Sequence, residues 1–334
     1  MANLLITQTC VRSCPYCFAK KHMDDNDREG MMGWKDFIYL VDFLEASGDK
    51  HVSLLGGEPT LHPEFPDYIV YLLERGFSVN TFTSGIMNEK RLRRLERVLA
   101  GADPERISFV VNINDPLKSN YSETERVKCF LEIFGHVSSP GYNMYRPKFE
   151  MGFLFDYVNT YGMRKHLRLG ITHPIAGKKN AYIRLGEIQE MVNTLLSYEE
   201  YFSRFGVKIG LDCGFPMCTY TDEQLGKLYK LTGGRLSFGC GPAVDIGPDM
   251  MVWCCFPLSD YHKKSIYDFD NMQELVSFYQ EKQMNIRTEV TGIFDECDTC
   301  RLRTEGMCDG GCLAHQLNNF VNEAEVRMPE VYQV

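Results

Sequence analysis

Apolar positions along the first two hundred residues recur in two alternating rhythms. Short β-type runs, Leu4 to Thr7, His51 to Leu55, Phe77 to Thr83 and Ile107 to Ile113, are each followed by a segment of helical period. Phe37, Leu40, Val41 and Leu44 form one helix face, and Tyr68, Ile69, Leu72 and Leu73 form the next, stopped at Gly76. Leu92, Leu95 and Leu99 follow Asn88, a residue suited to cap a helix start. Ser122-Glu123-Thr124-Glu125 has the form of a capping box and predicts a helix with Val127, Phe130, Leu131 and Phe134 inward. Met151 to Phe155 and Leu167 to Ile171 are the fifth and sixth expected strands. A long helix over Ile188, Met191, Val192, Leu195 and Phe202 comes next, and Val207 to Leu211 ends the repeat. Such alternation predicts α/β architecture: a parallel sheet with right-handed crossovers. Six or seven units over this length fit a partial, open, TIM-like (β/α)6 barrel.

In barrels of this kind the chemistry sits at the C-terminal ends of the strands. Four polar motifs follow predicted strands directly and therefore share that rim. They are Cys10-Val11-Arg12-Ser13-Cys14-Pro15-Tyr16-Cys17, Gly56-Gly57-Glu58-Pro59, Thr83-Ser84-Gly85 and Asn112-Ile113-Asn114-Asp115. Taken singly, Gly-Gly-Glu-Pro is an ordinary turn; convergence on one rim favours a site. His173-Pro174, after the sixth strand, is read equally as a substrate contact or as core.

Composition narrows the chemistry. A net charge of −9 offers no basic stripe for nucleic acid. The basic run from Arg91 to Arg97 reads as a solvated helix face. No apolar run is long enough to span a membrane, and no signal peptide opens the chain, so a cytoplasmic location is expected. In that compartment the 13 cysteines are expected to serve metal binding or catalysis rather than disulfides. They segregate: Cys10, Cys14 and Cys17 open the chain, nine lie from Cys213 to Cys312, and Cys129 stands between. The first three have the spacing C-x3-C-x2-C. Three thiolates so spaced can hold a [4Fe–4S] cluster with one iron open, a zinc ion, or nothing. Cys297, Cys300, Cys308 and Cys312 give C-x2-C-x7-C-x3-C, compatible with a zinc ribbon on spacing alone.

Together, the cysteine loop after the first strand and Gly-Gly-Glu-Pro after the second resemble the radical S-adenosylmethionine (SAM) enzymes. The resemblance implies that Cys10, Cys14 and Cys17 hold a [4Fe–4S] cluster whose open iron is chelated by SAM. It implies that Gly56, Gly57 and Glu58 lie against the SAM amino group, and that Thr83, Ser84, Asn112 and Asn114 reach its carboxylate or ribose. Tyr16 would lie near the adenine. The reduced cluster would cleave SAM to a 5′-deoxyadenosyl radical that takes a hydrogen atom from an unactivated C–H bond.

The cysteine-rich end resembles the SPASM extension of that family, which carries auxiliary iron–sulfur clusters. Residues 1–212 are then the barrel, and 213–334 a SPASM/twitch-like domain with a C-terminal tail. The resemblance implies one cluster on Cys240, Cys254 and Cys312 and another on Cys297, Cys300 and Cys308. Two features depart from the pattern. The glycine before Cys254 is replaced by Met250 or shifted to Gly247, and no cysteine follows Cys312. One or two auxiliary [4Fe–4S] clusters are therefore expected. Cys213, Cys218 and Cys255 are left as hydrogen donors to a substrate radical, as further ligands, or as inert thiols.

The expected reaction is modification of a peptide or protein side chain by crosslinking, thioether formation, epimerisation or oxidation. A sugar or cyclitol dehydrogenase or epimerase is the alternative, and an iron–sulfur electron carrier is the reading from another class. An electron donor such as flavodoxin or ferredoxin is expected. Only nine residues precede Cys10, so leader-peptide recognition is expected from a separate protein or not at all.

Overall fold

The computed structural model describes residues 2–19, 30–176, 179–241 and 243–322. The tail beyond 322, part of the expected second domain, lies outside them.

Seven parallel strands carry the repeat: β1 (Ala2–Thr7), β2 (His51–Gly56), β3 (Ser78–Thr83), β4 (Ile107–Asn112), β5 (Ser138–Met144), β6 (His166–Ile171) and β7 (Lys208–Leu211). They pair in sequence order. Helices α1 (Trp34–Ala46), α2 (Phe65–Glu74), α3 (Glu89–Leu99), α4 (Tyr121–Phe134) and α5 (Gly152–Thr160) make the first crossovers. Two shorter helices, α6 (Ile188–Leu196) and α7 (Glu199–Phe205), make the last. The expected open α/β barrel is therefore present.

Three local expectations are corrected. Met151 to Phe155 opens helix α5 instead of forming a strand. Met151, Leu154, Phe155 and Val158 lie at i, i+3, i+4 and i+7, and all four are buried. The true fifth strand is Ser138-Ser139-Pro140-Gly141-Tyr142-Asn143-Met144, a run of poor β-formers fixed by pairing with both neighbours. The long helix after β6 breaks at Ser197-Tyr198 into α6 and α7. Finally, α4 is capped by Asn120, whose side chain accepts from Ser122 N–H. Glu123 faces Arg12 instead of closing a capping box.

Along β3 and β4 buried residues alternate with half-buried ones, the mark of a sheet packed on helices on one side and lining a lumen on the other. The lumen is polar. Ser108 donates to Asn80 at 2.8 Å, and Arg168 on β6 reaches Asn143 on β5 at 2.8 Å and Asp212 beyond β7 at 2.5 Å. This barrel is therefore a hollow half-shell, unlike a closed barrel whose interior is filled by branched apolar side chains.

After α8 (Asp222–Leu231) the chain returns to the opposite edge. There β8 (Val244–Ile246) pairs parallel with β1, and β9 (Met251–Cys254) and β10 (Lys264–Ser265) extend the sheet antiparallel. Met250 takes the left-handed turn conformation (φ 62°) usually left to glycine. The β8–β9 turn, which begins at Gly247, thus has a non-glycine residue in that conformation. The long helix α9 (Met272–Glu289), the short α10 (Arg301–Thr304) and α11 (Leu313–Asn322) complete the described chain.

Where α11 meets the barrel, His173 and His315 pack edge to face with ring centroids 5.2 Å apart, beside Phe215 and Tyr182. Both rings are buried. Burial lowers the His173 pKa from 6.5 to about 4 and that of His315 to about 3, the latter helped by its neighbour. His173 is thus a neutral core ring that charges once the chain unfolds. Its stabilising contribution is complete above pH 6.5 and declines as pH falls toward about 4. From pH 7.5 to 5 this group alone is expected to remove about 2 kcal/mol. His173→Phe should flatten the fall in urea midpoint over that range; an unchanged slope would refute the assignment.

Candidate functional site

Strand β1 runs straight into the cysteine loop, and the turn after β2 holds the loop's first residues in place. Gly57 N–H donates to Thr7 O and Glu58 N–H to Thr9 O, both at 2.8 Å. A Cβ at Gly56 would lie 2.3 Å from Thr7 O, and one at Gly57 would lie 2.5 Å from Thr9 O. The two glycines let backbone press on backbone immediately before Cys10.

Glu58 is 1% exposed and fully hydrogen-bonded. Its Oε1 accepts from Thr60 Oγ1 at 2.8 Å and Thr83 Oγ1 at 2.5 Å, and its Oε2 from Ser84 N–H at 2.7 Å and Ser84 Oγ at 2.5 Å. The carboxylate thus ties the end of β2 to the end of β3, satisfying donors that would be costly to bury unpaired. Burial raises the pKa of the Cys10 thiol, and the Glu58 charge adds to the rise.

Arg12 secures the far side of the loop. Its guanidinium donates to Asn112 O at 2.8 Å and, through Nε at 2.7 Å, to Glu123 Oε1, which Nη2 also contacts. Cys17 N–H donates to Cys14 O at 3.2 Å and closes a turn between the second and third thiols. Tyr16 lies against Tyr145 with centroids 4.8 Å apart. Its hydroxyl meets Cys14 and Asn143, and burial pushes its pKa upward.

Between this loop and the ends of β4 and β5 lies a cavity of about 480 Å³, walled by Arg12, Cys14, Tyr16, Asn112, Asn114 and Asn143 among others. Asn112 Oδ1 is buried with no hydrogen-bond partner. Gly141 leaves room for it, since a Cβ there would approach this oxygen to 2.7 Å. Of the residues expected to touch SAM, Tyr16, Asn112 and Asn114 line the cavity. Glu58, Thr83 and Ser84 are buried behind the loop and bonded to one another. Sequence reading missed Arg12, Asn143, Gly141 and Tyr145. Arg12 lies inside the cysteine motif and was the most accessible of these; β5 had not been recognised as a strand.

The other cysteines gather in two places. Cys213, Cys240, Cys255 and Cys312 lie close enough that their charges interact. Burial raises the pKa of Cys213, and Cys312 and Cys240 add to it; Cys255 senses Cys312, Cys213 and Cys240. Cys213 is reachable by solvent yet ringed by protein, the condition of a thiol on a concave wall. Burial raises the pKa of Cys240 and Cys312, the charge of Arg287 partly opposes that rise, and its Nη2 is buried without a hydrogen-bond partner. The Cys254 sulfur accepts from Gln283 Nε2 at 3.1 Å, and its charge also interacts with that of Cys240. Elsewhere, Cys218 is raised by burial first and then by Cys297, Cys308 and Cys300. Among the described residues no three Cys, His, Asp or Glu side chains converge tightly enough to share a single ion.

Residues 4–134 match the model of the radical SAM superfamily. Over that stretch the chain is similar to the superfamily. One relative is the S-adenosylmethionine-dependent nucleotide dehydratase of Selenomonas ruminantium, 37% identical over 25% of this chain and 29% of that protein. Another is the PqqA peptide cyclase of Granulibacter bethesdensis, 27% identical over 31% of this chain and 27% of that protein. The matched stretch spans under a third of either relative. In three dimensions the chain shares the fold of Streptococcus suis SuiB, solved bound to precursor peptide SuiA. The TM-score is 0.66 at 15% identity, over 100% of this chain and 75% of that one. The cysteine-rich end is thus part of the shared fold.

The family's cofactors, a [4Fe–4S] cluster and SAM, suit what this site offers. The loop presents three thiols beside a polar cavity, and the buried Asn112 Oδ1 is an acceptor lacking a donor, such as a hydroxyl or amine supplies. No described helix is long and apolar enough to cross a membrane.

Proposed function

We propose that this chain is a radical SAM enzyme acting on a peptide or protein side chain. The carrying observation is the polar cavity flanked by Cys14, Tyr16 and the unpartnered Asn112 acceptor. When bound, the cluster and SAM supply the 5′-deoxyadenosyl radical that abstracts a hydrogen atom from an unactivated C–H bond. Cys10, Cys14 and Cys17 would hold the cluster, and the Gly56-Gly57 turn and Arg12 fix the loop that carries them. Asn112, Asn114 and Tyr16 would orient SAM, while Glu58, Thr83 and Ser84 keep the rim rigid behind it. Such chemistry is the cofactor's; the protein's share is placement and exclusion of water.

Two observations favour a peptide over a sugar or cyclitol. A second groove, of about 610 Å³, shares Lys148, Phe149 and Glu150 with the cavity wall and runs outward along α6. An open groove sharing residues with the cavity wall suits an extended chain. The names of two related proteins, a peptide cyclase and a protein bound to its precursor peptide, point the same way. A flavodoxin or ferredoxin as electron donor, and a separate leader-binding protein, belong to this reading.

Anaerobically reconstituted protein, reduced with dithionite in the presence of SAM, is expected to release 5′-deoxyadenosine. With a deuterated peptide substrate, label should appear in that product. Cluster-replete protein that leaves SAM intact would overturn the reading. Label transfer from a cyclitol but from no peptide would favour the small-molecule alternative.

A further inference from the structure

We propose that the strap from Tyr145 to Glu150 reads the order of charges along the substrate peptide. Arg146 takes an Asp or Glu side chain at the cavity mouth, and Glu150 takes a Lys or Arg side chain where cavity and groove meet. The inference deepens the reading above and rests on it in taking a peptide as the substrate.

The pairing of charges carries the argument. Four cations and four anions line the cavity and the groove. Six of them neutralise one another across the walls. Arg12 is paired with Glu123, Lys118 lies 3.3 Å from Asp115, and Lys148 lies 3.0 Å from Glu190. Arg146 and Glu150 are left over. Neither has an ion-pair partner among the described residues, and both are exposed.

Both are nevertheless held in place. The Arg146 guanidinium lies over the Tyr145 ring, 5.1 Å from its centroid, and that ring packs on Tyr16 of the cysteine loop. Stacking of this kind occupies the face of a guanidinium and leaves its edge, with the fork of N–H donors, for a carboxylate. Glu150 Oε2 accepts from the Tyr198 hydroxyl at 2.9 Å, and that hydroxyl oxygen accepts from Met151 N–H at 3.2 Å. Its other carboxylate oxygen is left for a cation. Side chains fixed beforehand lose little freedom on binding, so each contact keeps more of its energy.

Position assigns the order. The strap leaves the C-terminal end of β5, on the rim that carries the cysteine loop. Arg146 lines the cavity alone, whereas Glu150 lines both cavity and groove. The acidic residue of the substrate therefore lies nearer the reacting position, and the basic one farther out toward α6. At most about 14 Å of extended backbone separates Arg146 from Glu150, so the two substrate charges fall within a few residues of each other. The net charge of −9 points the same way. It repels a uniformly acidic peptide at long range, and a segment of mixed charge avoids that repulsion.

The test selects displayed random peptides on the reconstituted full chain with SAM, and in parallel on the double variant Arg146→Glu with Glu150→Arg. Both positions are exposed and lie outside the helices and strands, so the fold should hold, which circular dichroism checks. Peptides selected on the unmutated chain are expected to share an acidic and a basic residue at a fixed spacing. Those selected on the double variant should show the same spacing with the order reversed. A labelled peptide from the first selection should lose about fivefold in affinity when its acidic side chain becomes the corresponding amide. Arg146→Ala protein should bind the two forms equally. Arg146→Lys should keep part of the preference, since the charge remains while the fork is lost. A consensus without charge, the same order on both proteins, or no enrichment on either would overturn the proposal. Release of 5′-deoxyadenosine by the unmutated chain is read separately. Peptides enriched without a charge pattern would sink this inference and leave the peptide reading standing, whereas intact SAM would sink the radical reading alone.

Discussion

With Cys10, Cys14 and Cys17 all replaced by alanine, the chain is expected to release no 5′-deoxyadenosine while keeping the iron bound at its other end. The expectation follows from how each group of thiols is held. The N-terminal loop is held by the barrel. Gly57 and Glu58 N–H bond its start, Arg12 joins Asn112 O and Glu123, and Pro15 O accepts from Ala181 N–H at 2.9 Å. Arg12, Pro15 and the backbone remain in the triple variant, so the fold has little reason to fail. At the other end Gly311 packs on Pro216 and Asp309 accepts from Cys240 N–H, contacts that do not involve the loop. Iron and sulfide analysis beside product detection checks both halves. Iron falling to zero would show that the two ends are not independent sites, and residual product would remove these cysteines from the radical chemistry.

How far the fold was legible depended on whether an element's own residues carried its signal. Strands β1 to β4 are apolar runs ended by glycine or polar turns, and they lie where the pattern puts them. Strand β5 carries no such signal. It contains Pro140 and Gly141, and its strand geometry comes from the ladders to β4 and β6. The adjacent apolar run was taken for the missing strand because five residues from Met151 to Phe155 fit either period. The cost reached the site, because Gly141 and Asn143 contribute to the cavity wall only from a recognised β5.

The candidate site divides in the same way. Cys10, Cys14 and Cys17 and the Gly56-Gly57 turn are contiguous motifs, and their positions on the rim follow from the strands before them. The placement of the nine C-terminal cysteines does not lie in their spacing. Cys213 and Cys218 flank Pro216, which packs on Gly311 about a hundred residues further on, and Cys255 takes a positive φ. Neither has a local signature. Glu123 shows the reverse case: a local motif suggested a cap, but a guanidinium more than a hundred residues away took its carboxylate.

Replacing Gly57 by alanine is expected to slow 5′-deoxyadenosine formation by about a hundredfold, although the change adds only one methyl group. That methyl would lie 2.5 Å from Thr9 O, 2.6 Å from Thr9 C and 2.8 Å from Gln8 O. All three are backbone atoms, so no side chain can rotate away. The strand pairing and the Glu58 knot with Thr60, Thr83 and Ser84 hold the turn from below. The part able to move is therefore the chain from Gln8 to Cys10, and it carries the first thiol with it. A displacement near 1 Å at a reacting centre typically costs this much. Gly186→Ala is the matched control, since a Cβ there meets nothing within 4 Å, and its rate should equal that of the unmutated chain. Auxiliary iron should be intact in both variants. Gly57→Ala protein that cleaves SAM at the normal rate would show that the turn does not position the loop, and the glycine would then reflect local packing alone.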